Sequence, residues 1–161
     1  MSRFVETHVI AIHDAVAAAA AAFTTDTNVV DMAGYNRCLC VLLCTNSGAG
    51  TATITLKQSS ENAGTSEKAL AYTEYFVNVT GTTTSVLTRV EAATCTTGGA
   101  LTGTNTYVWE VKADEMDIDG GFHFLRMDVA SLSNNTAAAL FYVLYEPRYA
   151  RGAEDMTEAI A

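Results

Sequence analysis

The chain has 161 residues, of which 49% are hydrophobic and 17% are charged, and its formal net charge at pH 7 is −9. This length supports a single domain, and the composition excludes intrinsic disorder because charge is too scarce to keep the chain open and solvated. The excess of acidic side chains argues against nucleic acid and against acidic membrane surfaces, since both attract basic proteins. With so little charge, much of the exterior must be Thr, Ser, Asn and Ala, which suits lateral packing of subunits.

Residues 1–27 are predicted to form an N-terminal arm. No window reaches the roughly 18 apolar residues that cross a bilayer. The residues before the alanine-rich run at 15–23 hold Arg3 against Glu6 and Asp14, so we expect no export signal. Alanine favours a helix, but so short a run is marginal without packing. A short helix and an extended arm therefore both stay open.

Residues 28–150 are predicted to form one antiparallel β-sandwich. Residues 50–58 alternate between apolar and polar side chains, which indicates a half-buried strand. Its buried face is expected to carry Ala52, Ile54 and Leu56. Residues 37–45 are apolar on both faces, which suits a central strand covered by a second sheet on one side and by a neighbour or a loop on the other. The turn residues at 46–50 favour a hairpin between these two strands.

Further strands are predicted at intervals of about 10 to 20 residues, a spacing typical of all-β sandwiches and barrels. They span residues 28–32, 68–78, 85–92, 106–113, 115–118, 122–130 and 137–145. About eight short strands in one domain predict a jelly-roll or Greek-key sandwich. Residues 151–161 lose the strand pattern and are predicted to form an acidic C-terminal tail.

The cysteines and acidic residues do not form a convincing metal site. Cys38, Cys40 and Cys44 share one face of a strand, without the two-residue spacing of a zinc knuckle. We expect reduced, buried thiols, with a disulfide to Cys95 as the alternative. The segment from Glu115 to Gly121 resembles a calcium loop but lacks the carboxylate at its twelfth position. Its acids are expected to face solvent, with Met116 and Ile118 pointing inward.

No catalytic constellation is found either. The serines lie in neither a G-x-S-x-G nor an S-x-x-K pattern, and the histidines lack the H-E-x-x-H spacing. The sequence therefore predicts a protein that is not an enzyme and uses no cofactor and no metal.

Aromatic and basic side chains mark a candidate interface. Tyr107 and Trp109 share a strand face, where core filling or packing between subunits is favoured over an open sugar-binding platform. A second cluster near the C-terminus combines tyrosines with arginines that would pair with carboxylates of a neighbouring subunit. The candidate interface residues are Tyr107, Trp109, Tyr145, Arg148, Tyr149 and Arg151.

Three segments resemble small virion structural proteins of tailed bacteriophages: residues 50–70 (GTATITLKQSSENAGTSEKAL), 107–130 (YVWEVKADEMDIDGGFHFLRMDVA) and 139–150 (ALFYVLYEPRYA). The resemblance implies a jelly-roll-like head decoration or cement protein. Such a protein sits on the capsid exterior and ties hexamers and pentamers together, commonly as a trimer. It has no catalytic residues.

The expected function is therefore that of a virion structural protein that decorates and stabilises the exterior of a phage capsid by bridging capsomers. Its partners would be the major capsid protein and further copies of itself, preferably in a homotrimer. It would be made in the cytoplasm of the bacterial host and end in the virion. The alternatives are a tail or head-completion virion protein and a carbohydrate-binding β-sandwich module, the latter suggested by Tyr72, Tyr75, Tyr107 and Trp109.

Overall fold

The computed structural model describes residues 8–16, 29–46, 51–79, 86–98, 103–129 and 135–148. In this part of the chain, eleven strands and a single turn of 3₁₀-helix make up the regular structure. None of its helices has the length and apolar character needed to cross a membrane. The strands are β1 (His8–Val16), β2 (Val29–Asp31), β3 (Tyr35–Asn46), β4 (Thr51–Ser59), β5 (Glu67–Leu70), β6 (Glu74–Val79), β7 (Thr88–Glu91), β8 (Cys95–Gly98), β9 (Gly103–Lys112), β10 (Phe124–Val129) and β11 (Asn135–Pro147), and the 3₁₀-helix is Ala113–Glu115.

The strands form two antiparallel sheets that pack against each other. The first sheet has the order β1-β11-β3-β9-β6-β7, and the second has the order β2-β10-β4-β5. Strand β8 also pairs with β4, so that Ile54 has Val129 as its partner on one side and Cys95 on the other. Strands β5 and β8 therefore lie one after the other along the same edge of β4.

This strand order is that of a jelly roll. We number β1, β2, β3, β4, β5, β9, β10 and β11 in chain order as the eight strands of the jelly roll, leaving out β6, β7 and β8. The first sheet then contains the first, eighth, third and sixth of them, and the second sheet contains the second, seventh, fourth and fifth. The prediction of an all-β antiparallel sandwich of jelly-roll or Greek-key type is confirmed. The β6–β7 hairpin extends the first sheet beyond β9, and β8 lengthens one edge of the second.

Part of the predicted N-terminal arm belongs to this sandwich. Residues 8–16 are extended and pair with β11 as an edge strand of the first sheet. Two residues of the alanine-rich run, 15 and 16, fall in this strand. The other residues of the predicted arm and the predicted tail at 151–161 lie outside the described residues.

The hydrophobic core fills the space between the two sheets. In β4 the predicted alternation is confirmed, because Ala52, Ile54 and Leu56 are buried while the threonines between them face outward. Fully burying one large apolar side chain contributes about 1.5–3 kcal/mol. The sheets are also joined by a hydrogen bond, in which the Met127 backbone N–H donates to the buried Tyr142 hydroxyl at 2.8 Å. The largest fully buried side chains are Trp109, Tyr142, Met32, Leu42, Ile54, Leu56, Leu125, Met127, Leu140 and Leu144.

The single strand predicted at 68–78 is wrong. The chain leaves the second sheet after Leu70 and enters the first sheet at Glu74. Tyr72 lies at this crossing, where its hydroxyl donates to the Ile54 carbonyl at 3.3 Å. The run contains no Gly or Pro, and strand propensity does not say to which sheet a residue belongs, so the crossing leaves no local mark.

Two other local predictions are also wrong. The hairpin predicted from residues 46–50 does not form, because β3 and β4 lie in different sheets. The segment 115–118 is not a strand but continues from the 3₁₀-helix, in which the Met116 N–H donates to the Ala113 carbonyl at 3.2 Å. Strand β8, with the sequence CTTG, carries too few apolar residues to show a strand pattern.

Candidate interaction surface

The strand that is apolar on both sides, β3, lies at the centre of the first sheet. Its even-numbered side chains from Cys38 to Cys44 enter the core, as expected for one of its two faces. Its odd-numbered side chains point away from the core, and strand register places apolar residues of the neighbouring strands beside them. We call this outward surface the apolar face; it consists of Leu39, Val41, Leu43, Phe76, Val108, Phe141 and Val143.

The side chains of the apolar face are packed against one another sideways. Val41 pairs with Phe141 on one side and with Val108 on the other, and Val108 in turn pairs with Phe76. Val41 and Val143 are only 8% and 9% exposed, and the other five side chains are half-buried. Four strands thus contribute to one continuous apolar surface on the side of the first sheet that points away from the core.

A charged network borders the apolar face at the end where β3 begins. Arg37 forms an ion pair with Glu110 and a second one with Glu146, at 3.1 Å. The Tyr145 hydroxyl donates to Glu110 Oε1 at 2.6 Å. This hydrogen bond and those from Arg37 hold the pKa of Glu110 below its ordinary value. Burial and the Glu110 carboxylate raise the pKa of Tyr145, so this tyrosine stays protonated at neutral pH.

The opposite end of the apolar face carries hydroxyl groups. Thr45 and Thr104 lie side by side with their Oγ1 atoms 3.1 Å apart, and Thr106 follows on the same face. Along the strands the surface therefore changes from charged to apolar to neutral polar. An apolar centre with polar margins is typical of a protein–protein interface.

The outer face of the second sheet is different. We call it the charged face, because Lys57, Glu67, Arg126 and Asp128 form one network there. Glu67 accepts from Lys57 at 2.5 Å and from Arg126, which is only 3% exposed, also at 2.5 Å. Partial burial opposes protonation of Lys57, but its bonds with Asp128 and Glu67 raise its pKa above the ordinary value. The charges of this face therefore find partners within the chain.

Two clefts of about 610 and 620 Å³ open at the charged end of the sandwich. Arg37 and Lys112 line both of them. The first cleft adds Arg148 together with acidic side chains such as Asp114 and Asp119, so it has no preference for ligands of one charge. Among the described residues, no group of three His, Cys, Asp or Glu side chains is placed to hold a metal ion.

The predicted interface residues are not brought together. Tyr107 and Trp109 are 2% and 1% exposed and lie in the core, so their assignment to an interface is corrected to core packing. Large aromatic side chains suit a core and an interface equally, so the sequence pattern alone does not separate the two. Tyr145 lies at the margin of the apolar face, and Arg148 is exposed beside the first cleft. Tyr149 and Arg151 lie outside the described residues.

The four aromatic side chains that suggested a sugar platform pack on one another. Trp109 stacks with Tyr75 at a centroid distance of 5.5 Å and with Tyr107 at 6.3 Å. Tyr72 meets the edge of Trp109 at 6.0 Å. Since Tyr72 and Tyr75 pack against the core cluster, these rings close one side of the sandwich.

All four cysteines are buried, as predicted, and they lie there without a disulfide. Burial raises the pKa of Cys44 to about 11 and that of Cys95 to about 12. Such thiols are protonated at neutral pH and are poor nucleophiles and metal ligands, because both roles require the thiolate.

The acidic segment after the 3₁₀-helix is a turn in which Asp117 organises the backbone. The Asp117 N–H donates to the Gln58 side chain at 2.8 Å, and the Asp117 carbonyl accepts from Gly120 and Phe122. Gly121 has a φ of +86°, a left-handed conformation that favours glycine. Met116 and Ile118 do point inward while the acids face outward, as expected.

The sequence signal for the apolar face lies in β3, where all residues from 38 to 44, odd and even, are apolar. Its partners on β9 and β11 became identifiable only through the strand register. In comparisons with family models, curated proteins and solved structures, the chain matches none of them.

Proposed function

We propose that this protein is a non-enzymatic structural protein of a phage virion, which decorates the exterior of the capsid and stabilises the shell by bridging capsomers. The observation that carries the proposal is the apolar face. This outward-pointing surface of the first sheet lacks the polar side chains of an ordinary protein exterior. A protein whose work is to pack against other subunits needs such a surface.

The fold is compatible with this role without establishing it. Jelly rolls form viral capsid proteins, but also lectins and enzymes, so the function must follow from the surface. The low proportion of charged residues supports the proposal as well, since Thr- and Ser-rich exteriors are easily dehydrated in lateral contacts. Weak contacts repeated over a shell would give an avidity that no single contact supplies. The proposed partners are the major capsid protein and further copies of this chain.

The carbohydrate-binding alternative gains nothing from the geometry of its aromatic residues. Tyr107 and Trp109 lie in the core, and Tyr72 and Tyr75 pack against them. A sugar platform requires exposed ring faces. We therefore develop the structural role alone.

The direct test is co-sedimentation of the purified, reduced protein with empty shells of the phage that encodes it, prepared without this protein. We expect saturable binding with a fixed number of copies per capsomer. The Leu39→Lys variant, with a charge added to the apolar face between Val143 and Glu110, should bind more weakly. The Thr55→Lys variant is the matched control, because Thr55 is also half-buried and points outward from a central strand, but on the charged face.

Electron microscopy of the same shells separates the roles within a virion. Copies distributed over the whole shell support decoration. Copies confined to one vertex would point to the head-completion or tail alternative, and shells free of the protein would overturn the proposal.

A further inference from the structure

We infer that the apolar face is covered by the segment of this chain that follows β11, with residues 153–161 packed across it as a short amphipathic helix. A shell subunit that binds the face must then displace this helix. The inference deepens the proposed function by naming what regulates access to the same surface, and only this competition rests on that function. Three observations select the segment as the occupant: the size of the face, the spacing of apolar residues in the segment, and the place where β11 ends.

The apolar face has the dimensions of one short helix. From Leu39 to Leu43 it extends by four residues along β3, or about 14 Å, and its four strands are about 14 Å wide. A helix of nine residues is about 14 Å long and, with its side chains, about 10–12 Å wide. An area of about 200 Å² is small for a contact between two separate molecules, but it is sufficient for a segment that is already tethered beside it.

Residues 153–161 have the apolar spacing of an amphipathic helix. Ala153, Met156 and Ile160 recur at i, i+3 and i+7, which places them on one side of a helix. The three acidic residues of the segment fall outside this stripe. A helix of nine residues is marginal in water without packing, so it requires an apolar surface against its stripe. The apolar face supplies such a surface.

Strand β11 ends beside the start of β3, at the charged end of the apolar face. Its last residue, Pro147, pairs with Tyr35, and the Arg148 N–H donates to the Gly34 carbonyl at 2.9 Å. Because β11 and β3 are neighbours at the centre of the first sheet, the chain after Arg148 starts directly at the near end of the face.

Residues 149–152 are long enough to bring the helix onto the face. Leu39 lies four residues, or about 14 Å, beyond the start of β3. Ala153 is five residues beyond Arg148 and reaches up to about 17 Å from it when the chain between them is extended. A helix that begins near Ala153 and runs along β3 then ends beside Leu43.

Charge favours the same placement. The helix would begin near Lys112, which is exposed and pairs in register with Arg37 on the outward side of the first sheet. Glu154 and Asp155 fall in the first turn of the helix, where acidic side chains stabilise it through the helix dipole. The same two carboxylates would lie on the side of the face where this ammonium group is available.

The experiment is photo-cross-linking in the full chain. The photoreactive residue p-benzoylphenylalanine replaces Phe141, which is half-buried on the apolar face. We expect cross-links within the same chain to residues 153–161, at a yield that does not depend on protein concentration, identified from the masses of proteolytic fragments. Phe124 is the matched control position, because it is also half-buried and points outward, but from β10 of the second sheet. The probe at this position should not reach the segment.

Two substitutions in the segment test the predicted stripe. Met156→Lys puts a charge into the stripe and should lower the cross-linking yield about tenfold, because the charge would be buried against apolar side chains. Glu158→Lys adds the same side chain on the other side of the helix and should leave the yield nearly unchanged. Circular dichroism and the urea midpoint show whether each variant is folded.

Three outcomes would overturn the covering helix. They are no cross-links from position 141 to residues 153–161, cross-links from that position to a second copy instead, and equal losses of yield in both variants.

Binding to shells separates this inference from the proposed function. If the helix competes with the shell for the face, Met156→Lys should bind shells at least about threefold more tightly than the wild type, because more of its face is open. Unchanged shell binding in this variant would overturn the competition. Cross-linking as expected without any binding to shells would overturn the proposed function and leave the covering helix standing.

Discussion

The two outer faces of the sandwich have the same strand geometry but opposite chemistry, because one carries charged side chains and the other apolar ones. On the charged face, Lys57 and Arg126 find carboxylates within the chain, so this surface is complete in the monomer. On the apolar face, Val41 has only apolar neighbours at its sides, Val108 and Phe141. The comparison teaches that folding supplies partners for the charges of one face, whereas the other face stays apolar.

The largest expected effect concerns the buried charge of the charged face. Glu67→Gln removes the carboxylate that lies 2.5 Å from Arg126, which is 3% exposed. We expect a loss of about 2 kcal/mol in the free energy of unfolding, less than for a fully buried pair because Glu67 is partly exposed. Urea denaturation at pH 7 measures it. Glu74→Gln, whose partner Arg89 is exposed, is the control and should change little. Equal losses of unfolding free energy in both variants would contradict the expected difference between a buried and an exposed ion pair.

The next prediction tests whether the two sheets unfold together as one cooperative unit. Tyr142→Phe removes the hydroxyl that accepts the Met127 N–H and joins the sheets. A buried N–H that loses its acceptor costs about 1–3 kcal/mol. We expect a lower urea midpoint with a single transition seen by both tryptophan fluorescence and circular dichroism. Two separate transitions would show that the sheets unfold independently.

A smaller effect follows from the thiol of Cys44, which is buried in the core between the two sheets. Because the pKa of Cys44 is raised to about 11 in the folded chain, this thiol binds its proton more tightly there than in the unfolded chain. Its contribution to stability is present below the unfolded pKa of 9.0 and is lost as pH rises toward 11.

Because of this thiol, the free energy of unfolding should fall by about 1 kcal/mol between pH 7.5 and about pH 10. Urea midpoints at the two pH values measure the change. In Cys44→Ala the fall should be smaller by that amount. An identical fall in the variant would show that Cys44 is not responsible.

The smallest effect concerns the charged end of the apolar face. The pKa of Glu110 is lowered by the Tyr145 and Arg37 hydrogen bonds, so its ionised form stabilises the folded chain above the unfolded pKa of about 4.3. This stabilisation is lost as pH falls through the lower folded pKa. The decrease in urea midpoint from pH 7 to about pH 3 should be smaller in Glu110→Gln than in the wild type. A larger decrease in the variant would contradict the assignment.

Local patterns predicted the strands well where one face is buried and the other is polar. In β4 the alternation alone assigned the inward side chains correctly. It failed for Tyr107 and Trp109, which were considered for an interface, because large aromatic side chains suit a core and an interface equally. For the apolar face, the sequence indicated that β3 is covered on both sides but did not identify the neighbouring residues that complete the surface.

Long-range pairing accounts for the remaining errors. The residues at 68–78 have strand propensity throughout, yet β5 pairs with β4 and β6 pairs with β9. Likewise, the turn residues at 46–50 suit a hairpin and a crossing between sheets equally well. Propensity and turn chemistry act over a few residues, whereas the choice of a partner strand depends on residues far away in the sequence.

The sequence by itself determined that this chain folds as one antiparallel β-sandwich with buried thiols and a strand that is apolar on both faces. Those properties follow from composition and from the two-residue period of strands, which are local. Only the tertiary structure decided which apolar residues fill the core and which gather on the outer surface. Register between distant strands brings Val41, Val108 and Phe141 side by side, and no local pattern contains that information.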